Sequence, residues 1–288
     1  ALGMGLTRTA SIISAMIARQ SSDTNLTRSF TRANVELLAG TSLHPIRPIR
    51  SPAFFAAPSK AAIAPTADVQ VTYNGFTQPA HDAFEAAVVV WESLIVSPRV
   101  IHVDATWTVL GTGILGSAGP TDLYKRPTDD RWYPAALMEA ICNCEGPLAT
   151  EINADFNSAF PDWYLGTDGN PPSNMYDFYT VVLHELGHGL GFFGSFSVSG
   201  SYGAWGYSNG ISTYPLGFDL NEWSASSSGN AITNTAVYPN PSMALRTELT
   251  DGTVYFGGAN VVAVYGGRAP LYAPSAWSPP RPRPKRRG

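Results

Sequence analysis

The chain has 288 residues, enough for a sizeable folded domain, and 44% of them are hydrophobic, as in ordinary globular proteins. Only 14% are charged, and 27 glycines with 23 prolines predict many loops and turns. No stretch approaches about eighteen consecutive apolar residues, so a membrane-spanning helix is not expected. The formal net charge is −4, with the acidic residues concentrated between basic ends, so nucleic-acid binding is not expected either.

Three segments differ in composition. Residues 1–65 are interrupted by proline and lack clear periodicity, which predicts a disordered leader or linker. Residues 66–278 carry the periodic segments and form the predicted folded domain. Residues 279–288, "PPRPRPKRRG", are basic and proline-rich, a composition that cannot bury apolar surface.

The predicted elements begin with a strand at 69–76, closed by an Asn-Gly turn signal. An amphipathic helix over 78–95 follows, with Thr77 as its N-cap. Six residues at helical spacing form its apolar face: Ala80, Phe84, Ala87, Val88, Trp91 and Ile95. Residues 99–110 alternate as a strand does.

The next segments are less regular. Residues 111–120 are glycine-rich and predict a loop, which lacks the Lys-Ser/Thr of a phosphate-binding loop. Residues 150–158 alternate between apolar and polar side chains, which predicts a strand with one polar face at a sheet edge. Cys142 and Cys144 are the only cysteines, and on a strand their Cα atoms would lie roughly 6–7 Å apart. We therefore predict two ordinary thiols rather than a disulfide.

A helix beginning near Asp177 carries the segment "HELGH". His184 and His188 are four residues apart, on one helix face, so both can direct a ring nitrogen at one Zn²⁺ at about 2.0–2.1 Å. Glu185 is offset by about 100° of helix rotation, which suits a general base acting on a metal-activated water. The apolar helix, and Gly191 as a left-handed helix end, favour a zinc hydrolase over a chance match.

These segments carry a resemblance to a known family. "VDATWTVLGTGILGSAGP", "EINADFNSAFPDWYLGTDG" and "FYTVVLHELGHGLGF" resemble metzincin-type zinc metallopeptidases, above all the leishmanolysin-like group and related secreted bacterial enzymes, over roughly 68–277. The resemblance implies an α+β, zincin-like fold: a twisted mixed sheet, a backing helix, an active-site helix and a loop-rich C-terminal part. It also implies a secreted enzyme acting on a protein or peptide, with Zn²⁺ bound by His184 and His188 and with Glu185 as general acid/base.

The third ligand of the metzincin pattern falls at position 194, which is Gly194 and has no side chain to offer. No histidine follows His188 in the chain. His44, His81 and His102 all precede the motif, and we interpret them as ordinary surface or core histidines.

Two explanations of the third ligand stay open. Asp219 or Glu222 supplies an acidic ligand, although solvated loop acids or supporting contacts are the preferred interpretation. Alternatively, the ligand and the Met-turn have been lost by truncation or a frame shift before residue 279. In a further interpretation, the basic tail 279–288 is a functional segment that binds a partner. Met243 is a Met-turn candidate, with ordinary packing preferred. Short strands are predicted at 253–256 and 261–265.

The sequence thus predicts a zinc-dependent endopeptidase whose activity depends on a third ligand that the sequence does not identify. The alternative is a non-catalytic secreted binding domain on a degenerate metallopeptidase fold, using the Gly/Ser/aromatic region 194–230. Substrate preference, a pro-segment and the oligomeric state are not determined by the sequence, and no clear signal peptide is found.

Overall fold

The structure is a computed structural model that describes residues 66–271, apart from 112, 127–128, 173, 226–227 and 251–253, together with the short segment 27–28. The predictions for the rest of the leader 1–65 and for the tail 279–288 lie outside these residues. We call residues 66–191 the first part and residues 192–271 the second part.

The described residues form five α-helices and sixteen strands, most of the strands very short. The helices are α1 Gln78–Glu92, α2 Ala135–Cys142, α3 Phe178–Gly189, α4 Met243–Thr250 and α5 Ala259–Tyr265. The strands of the leader and the first part are β1 Thr27–Arg28, β2 Asp68–Asn74, β3 Val100–Thr108, β4 Gly116–Pro120, β5 Leu123–Lys125, β6 Trp132–Pro134, β7 Ile152–Asn157, β8 Trp163–Tyr164 and β9 Tyr176–Asp177. The second part contains β10 Ser197–Ser199, β11 Tyr202–Ala204, β12 Tyr207–Ser208, β13 Thr213–Tyr214, β14 Glu222–Trp223, β15 Tyr255–Phe256 and β16 Ala269–Pro270.

The largest sheet has four strands in the order β2-β3-β7-β4. β2, β3 and β7 run parallel, and β4 pairs with β7 in the antiparallel direction. The prediction that 150–158 lies at an edge is wrong, because β7 is an interior strand and β4 forms the edge. β4 comes from the glycine-rich segment predicted as a loop. A Cβ atom at Gly116 would lie 2.7 Å from the Phe156 ring, so glycine lets β4 approach β7 closely.

One apolar core joins the sheet to both long helices, as the amphipathic pattern predicts. The apolar face of α1 is buried throughout, and so are Ile152, Ala154 and Phe156 of β7. The Phe156 ring contacts Phe84 of α1 and Phe178 of α3, with ring centroids 5.6 and 5.2 Å apart. The helix that carries the two histidines is therefore fixed by the best-packed region of the molecule.

The second part has two smaller apolar clusters. The larger is built mainly from side chains beyond 215 but includes Leu123 and Trp132 of the first part. The other, formed by Ile232, Leu245 and Val254, lies wholly in the second part. The segment 261–265, predicted as a strand, belongs to helix α5 instead. Gly266 ends that helix in the left-handed conformation, with φ of 79°, a helix-stop signal that outweighs the strand propensity of the valines.

The prediction of two free thiols is also wrong, because Cys142 and Cys144 form a disulfide. The pair lies at the end of α2 rather than on a strand. Asn143 between them adopts the left-handed conformation, with φ of 51°, and the turn brings the two Cα atoms to 5.2 Å. That distance is well within the range that a disulfide needs, whereas the extended geometry assumed from the sequence lies at its upper limit.

The predicted α+β class is confirmed at this level, as a mixed sheet with packed helices and several smaller sheets. Within the residues that the structure describes, no helix is long and apolar enough to cross a membrane.

Candidate metal centre

Helix α3 presents the "HELGH" motif and begins and ends as the sequence predicts. Asp177 is its N-cap and accepts a hydrogen bond from the Thr180 hydroxyl. Burial raises the pKa of Asp177 to about 6. The helix ends at Gly189, and Gly191 turns the chain with φ of 109°. A Cβ atom at Gly191 would lie 3.0 Å from Pro134, so both the conformation and the space there favour glycine.

The two histidines of the motif converge. The Nε2 atoms of His184 and His188 are 3.1 Å apart, and their rings meet edge to face. This separation suits an N–H···N hydrogen bond, and it also suits two nitrogens that each lie about 2.0–2.1 Å from one zinc ion. The residues therefore fit two of the ligand positions of a zinc site.

The second nitrogen of His188 is also engaged. Its Nδ1 lies 2.9 Å from the carbonyl oxygen of Phe192, so an Nδ1–H donates to that oxygen and the Nε2 lone pair is directed at the shared point. The Phe192 carbonyl is itself held in place. The Phe192 N–H donates to Gly187 O at 2.9 Å, and its ring packs on Phe218 with centroids 5.0 Å apart.

Glu185 faces the edge strand of the sheet. Its Oε2 accepts a hydrogen bond of 3.0 Å from the backbone N–H of Ala118 in β4. The side chain keeps some exposed surface, but protein surrounds it on most sides. Burial raises the pKa of Glu185, while the nearby His188 and the Ala118 N–H oppose that rise. The carboxylate is thus suited to accept a proton and is held at a defined place.

The hydrogen-bond pattern shows which side of β4 Ala118 faces. Thr121 N–H donates to Glu151 O, and Asn157 N–H donates to Leu115 O. Peptide groups alternate in direction along an antiparallel pair, so the backbone N–H and C=O groups of the odd-numbered residues of β4 point toward β7. Ala118 therefore faces the open side of the strand, where Glu185 meets it.

Within the described residues, no third ligand joins the histidine pair. Among the described residues, no group of three His, Cys, Asp or Glu side chains is arranged to hold a metal ion. Asp219 and Glu222 lie together elsewhere, 0% and 5% exposed, so their interpretation as solvated loop acids is wrong. A Cβ atom at Gly194 would lie 3.1 Å from Asp219 Oδ1 and 3.2 Å from Glu222 Oε1. The position of the pattern's third ligand thus adjoins two buried carboxyl groups.

The remaining candidates have other surroundings. Met243 begins α4 and is 64% exposed, so the packing role predicted for it is wrong. His81 lies 3.3 Å from Asp82 and stacks near Tyr73, and His102 lies 3.1 Å from Glu151. His44 lies outside the described residues.

Sequence reasoning missed two contributors to this centre. Ala118 was assigned to a loop and Phe192 was not singled out, whereas Asp219 was considered both as a metal ligand and as a supporting contact. Their contributions come from backbone groups or from contacts between segments distant in the chain, for which residue type gives no signal.

Comparisons with known proteins give one partial match. A family model described as SPBPB7E8-like matches residues 112–203, which is less than half of the chain. The matched segment includes β4, α2, β7 and α3, and thus the whole histidine motif with its edge strand. No curated protein and no solved structure matches the chain.

Proposed function

We propose that this protein is a secreted zinc-dependent endopeptidase of metzincin type with a zincin-like fold. The observation that carries the proposal is the arrangement on α3. The Nε2 atoms of His184 and His188 converge to 3.1 Å, and the adjacent Glu185 carboxylate is held at the edge of the sheet.

Each residue has a defined role in this proposal. His184 and His188 would hold the Zn²⁺, and His188 is oriented by its bond to Phe192 O. Bound zinc would lower the pKa of a water to about 7 and polarise the substrate carbonyl. Glu185 accepts the proton of the attacking water and then donates it to the leaving amine. Burial raises the pKa of Glu185, which strengthens it as the proton acceptor.

The open edge of β4 supports a peptide as the substrate. The backbone of Gly116 and Ala118 faces outward there, beside Glu185. An extended peptide can add to such an edge through main-chain hydrogen bonds, which depend little on its side chains. A scissile bond in that peptide would pass the carboxylate that activates the water.

The disulfide between Cys142 and Cys144 supports secretion. Disulfides form and persist in oxidising compartments and are rare in the reducing cytosol. The cysteines lie within the folded first part, so the inference does not depend on the leader segment.

The test combines zinc retention with hydrolysis. We expect the full chain, produced under oxidising conditions and supplied with Zn²⁺ in the buffer, to bind zinc through its two histidines and to cleave casein slowly, because the third ligand is not identified. His188→Ala should lose the zinc, because a single histidine holds it too weakly. Glu185→Gln should keep the zinc but lose at least 100-fold in cleavage rate, the scale of a general base. His81→Ala and Glu85→Gln, on α1, are matched controls and should change neither quantity.

Two outcomes would contradict the enzyme proposal. One is a wild-type chain that retains no zinc and cleaves nothing. The other is a Glu185→Gln variant that cleaves as fast as wild type. The first outcome would favour the alternative, a secreted binding domain on the same fold. The hairpins of the second part favour that alternative, because they expose Val198, Tyr202 and Ile211 by 40%, 55% and 92%.

A further inference from the structure

Asp219 and Glu222 form a buried acidic pair. They are 0% and 5% exposed, and their oxygens face the same small space beside Gly194. In the described part of the chain, no Lys, Arg or His forms an ion pair with either residue. Two buried negative charges without a counter-charge are costly, so the two carboxyl groups do not both carry a charge at neutral pH.

The two carboxyl groups differ in their hydrogen bonds. Asp219 accepts from the Ser195 N–H at 2.8 Å, from the Leu216 N–H at 2.7 Å, and from the Ser195 hydroxyl. No described residue donates to the Glu222 carboxyl. Donors stabilise an ionised carboxylate, so the single negative charge belongs on Asp219 and the proton on Glu222.

Asp219 joins distant segments around the turn that follows α3. The Ser195 hydroxyl that donates to Asp219 also accepts a bond of 2.7 Å from the Gly206 N–H. Phe218, next to Asp219 in the chain, packs against the ring of Phe192. Asp219 thus holds the Ser195 end of the segment 192–195, and its chain neighbour Phe218 packs on the Phe192 end, whose carbonyl orients His188.

We propose that Asp219 and Glu222 are a positioning pair for His188. The charged Asp219 fastens the segment 192–195, and Glu222 remains a neutral acid beside it. This inference rests on the proposed function, because its purpose is to orient a metal ligand. It assigns neither residue to the metal itself.

The acidic pair should weaken zinc binding at alkaline pH. Burial, and then the charge of Asp219, raises the pKa of Glu222 well above its ordinary value. When Glu222 ionises at alkaline pH, a second buried charge repels Asp219 and loosens the segment 192–195. Tyr207 also faces Asp219, and burial together with that charge raises the pKa of its phenol, so Tyr207 stays neutral.

The first experiment measures Zn²⁺ affinity by chelator competition between pH 7 and 10. Wild type should lose affinity at the alkaline end. Glu222→Gln, which imitates the neutral acid, should match wild type at pH 7 and resist the alkaline loss. Asp219→Asn places an amide N–H donor among the three groups that donate to Asp219. The Zn²⁺ affinity of this variant should therefore fall about 10–100-fold at every pH. Glu85→Gln is the matched control and should follow wild type.

A second readout needs no metal. The ¹⁵N shifts of the His188 ring report the Nδ1–H bond to Phe192, and they should change in Asp219→Asn but not in Glu222→Gln. If Asp219→Asn fails to fold, Ser195→Ala should produce the same change to a smaller degree, because it removes one of the three donors.

The inference is overturned if Asp219→Asn keeps both the wild-type affinity and the wild-type ring shifts. It is also overturned if Glu222→Gln loses affinity at the same alkaline pH as wild type. A wild type that binds no Zn²⁺ at any pH would instead refute the proposed function. The ring shifts would then decide the positioning role by themselves.

Discussion

The two parts of the molecule are built differently. The first part contains the nine-residue strand β3 and the fifteen-residue helix α1, packed around one continuous apolar core. The second part has strands of only two or three residues, and buried polar groups such as Asp219 join its segments. The candidate metal centre draws on both, since the histidines lie on a helix of the first part and the carbonyl that orients His188 belongs to the second.

The dependence between the two parts is unequal. The larger of the two apolar clusters of the second part includes Leu123 and Trp132 of the first. Among the described residues of the second part, only Phe192 packs against the large core of the first part. We therefore expect damage to the first part to spread into the second, and damage to the second to stay local.

The largest expected effect is that of Phe156→Ala. Phe156 is fully buried and contacts both α1 and α3, so its truncation should lower the free energy of unfolding by about 3–5 kcal/mol. Urea unfolding measures the loss, and Phe156→Leu should cost clearly less. Hydrogen exchange should increase in both parts. Protection that persists in the second part alone would contradict the unequal dependence.

The next effect is a pH dependence that originates in the first part. Burial, and then the charge of Glu151, raises the pKa of Glu139 from 4.5 to about 7. A raised folded-state pKa means that the stabilisation is complete below about pH 4.5 and is lost as the pH rises through about 7. The free energy of unfolding should therefore fall by about 2–3 kcal/mol over this window.

Glu139→Gln isolates that contribution. It keeps an acceptor for the Gly146 N–H but cannot ionise, so urea midpoints between pH 4.5 and 8 should vary less than in wild type. Glu145→Gln, at an exposed neighbouring acid, should leave the wild-type slope unchanged. If the urea midpoints of Glu139→Gln and wild type change equally with pH, Glu139 is not the source of the pH dependence.

A smaller effect is expected in the second part, from Gly203→Ala. The added Cβ would lie 2.5 Å from the backbone nitrogen of Arg246, so β11 and α4 must separate, at a cost of about 1–3 kcal/mol. Hydrogen exchange should increase in the second part and stay unchanged in β3 and β7. Gly267→Ala meets no atom within 4 Å and is the matched control. Faster exchange in β3 would show that the second part supports the first.

The smallest effect is expected from replacing Cys142 and Cys144 together with serine. The disulfide links residues only two apart, so it restricts the unfolded chain little, and the loss should be about 1–2 kcal/mol. Thermal unfolding with and without a reducing agent measures it. A larger loss would mean that the disulfide holds the end of α2 in its folded place.

Segments with clear periodicity were predictable, and segments defined by a close contact or an unusual backbone conformation were not. The apolar face of α1, the strands β2 and β3, and the limits of α3 all follow from periodicity and helix-stop signals. The edge strand was missed because glycine-rich β4 is defined by its fit against Phe156 rather than by strand propensity. The disulfide was missed because the left-handed conformation of Asn143 shortens the Cα distance in a way that residue types do not reveal.

The sequence by itself determined the two histidines and the glutamate, because helical spacing alone puts His184 and His188 on one face with Glu185 beside them. The tertiary structure decided everything that orients them. It placed the Ala118 N–H on Glu185, the Phe192 carbonyl on His188, and the Asp219–Glu222 pair beside Gly194. The physical reason is the separation in sequence between the residues that interact. A motif fixes the directions of side chains within one or two helical turns, whereas these partners come from other segments and meet only when the chain has packed.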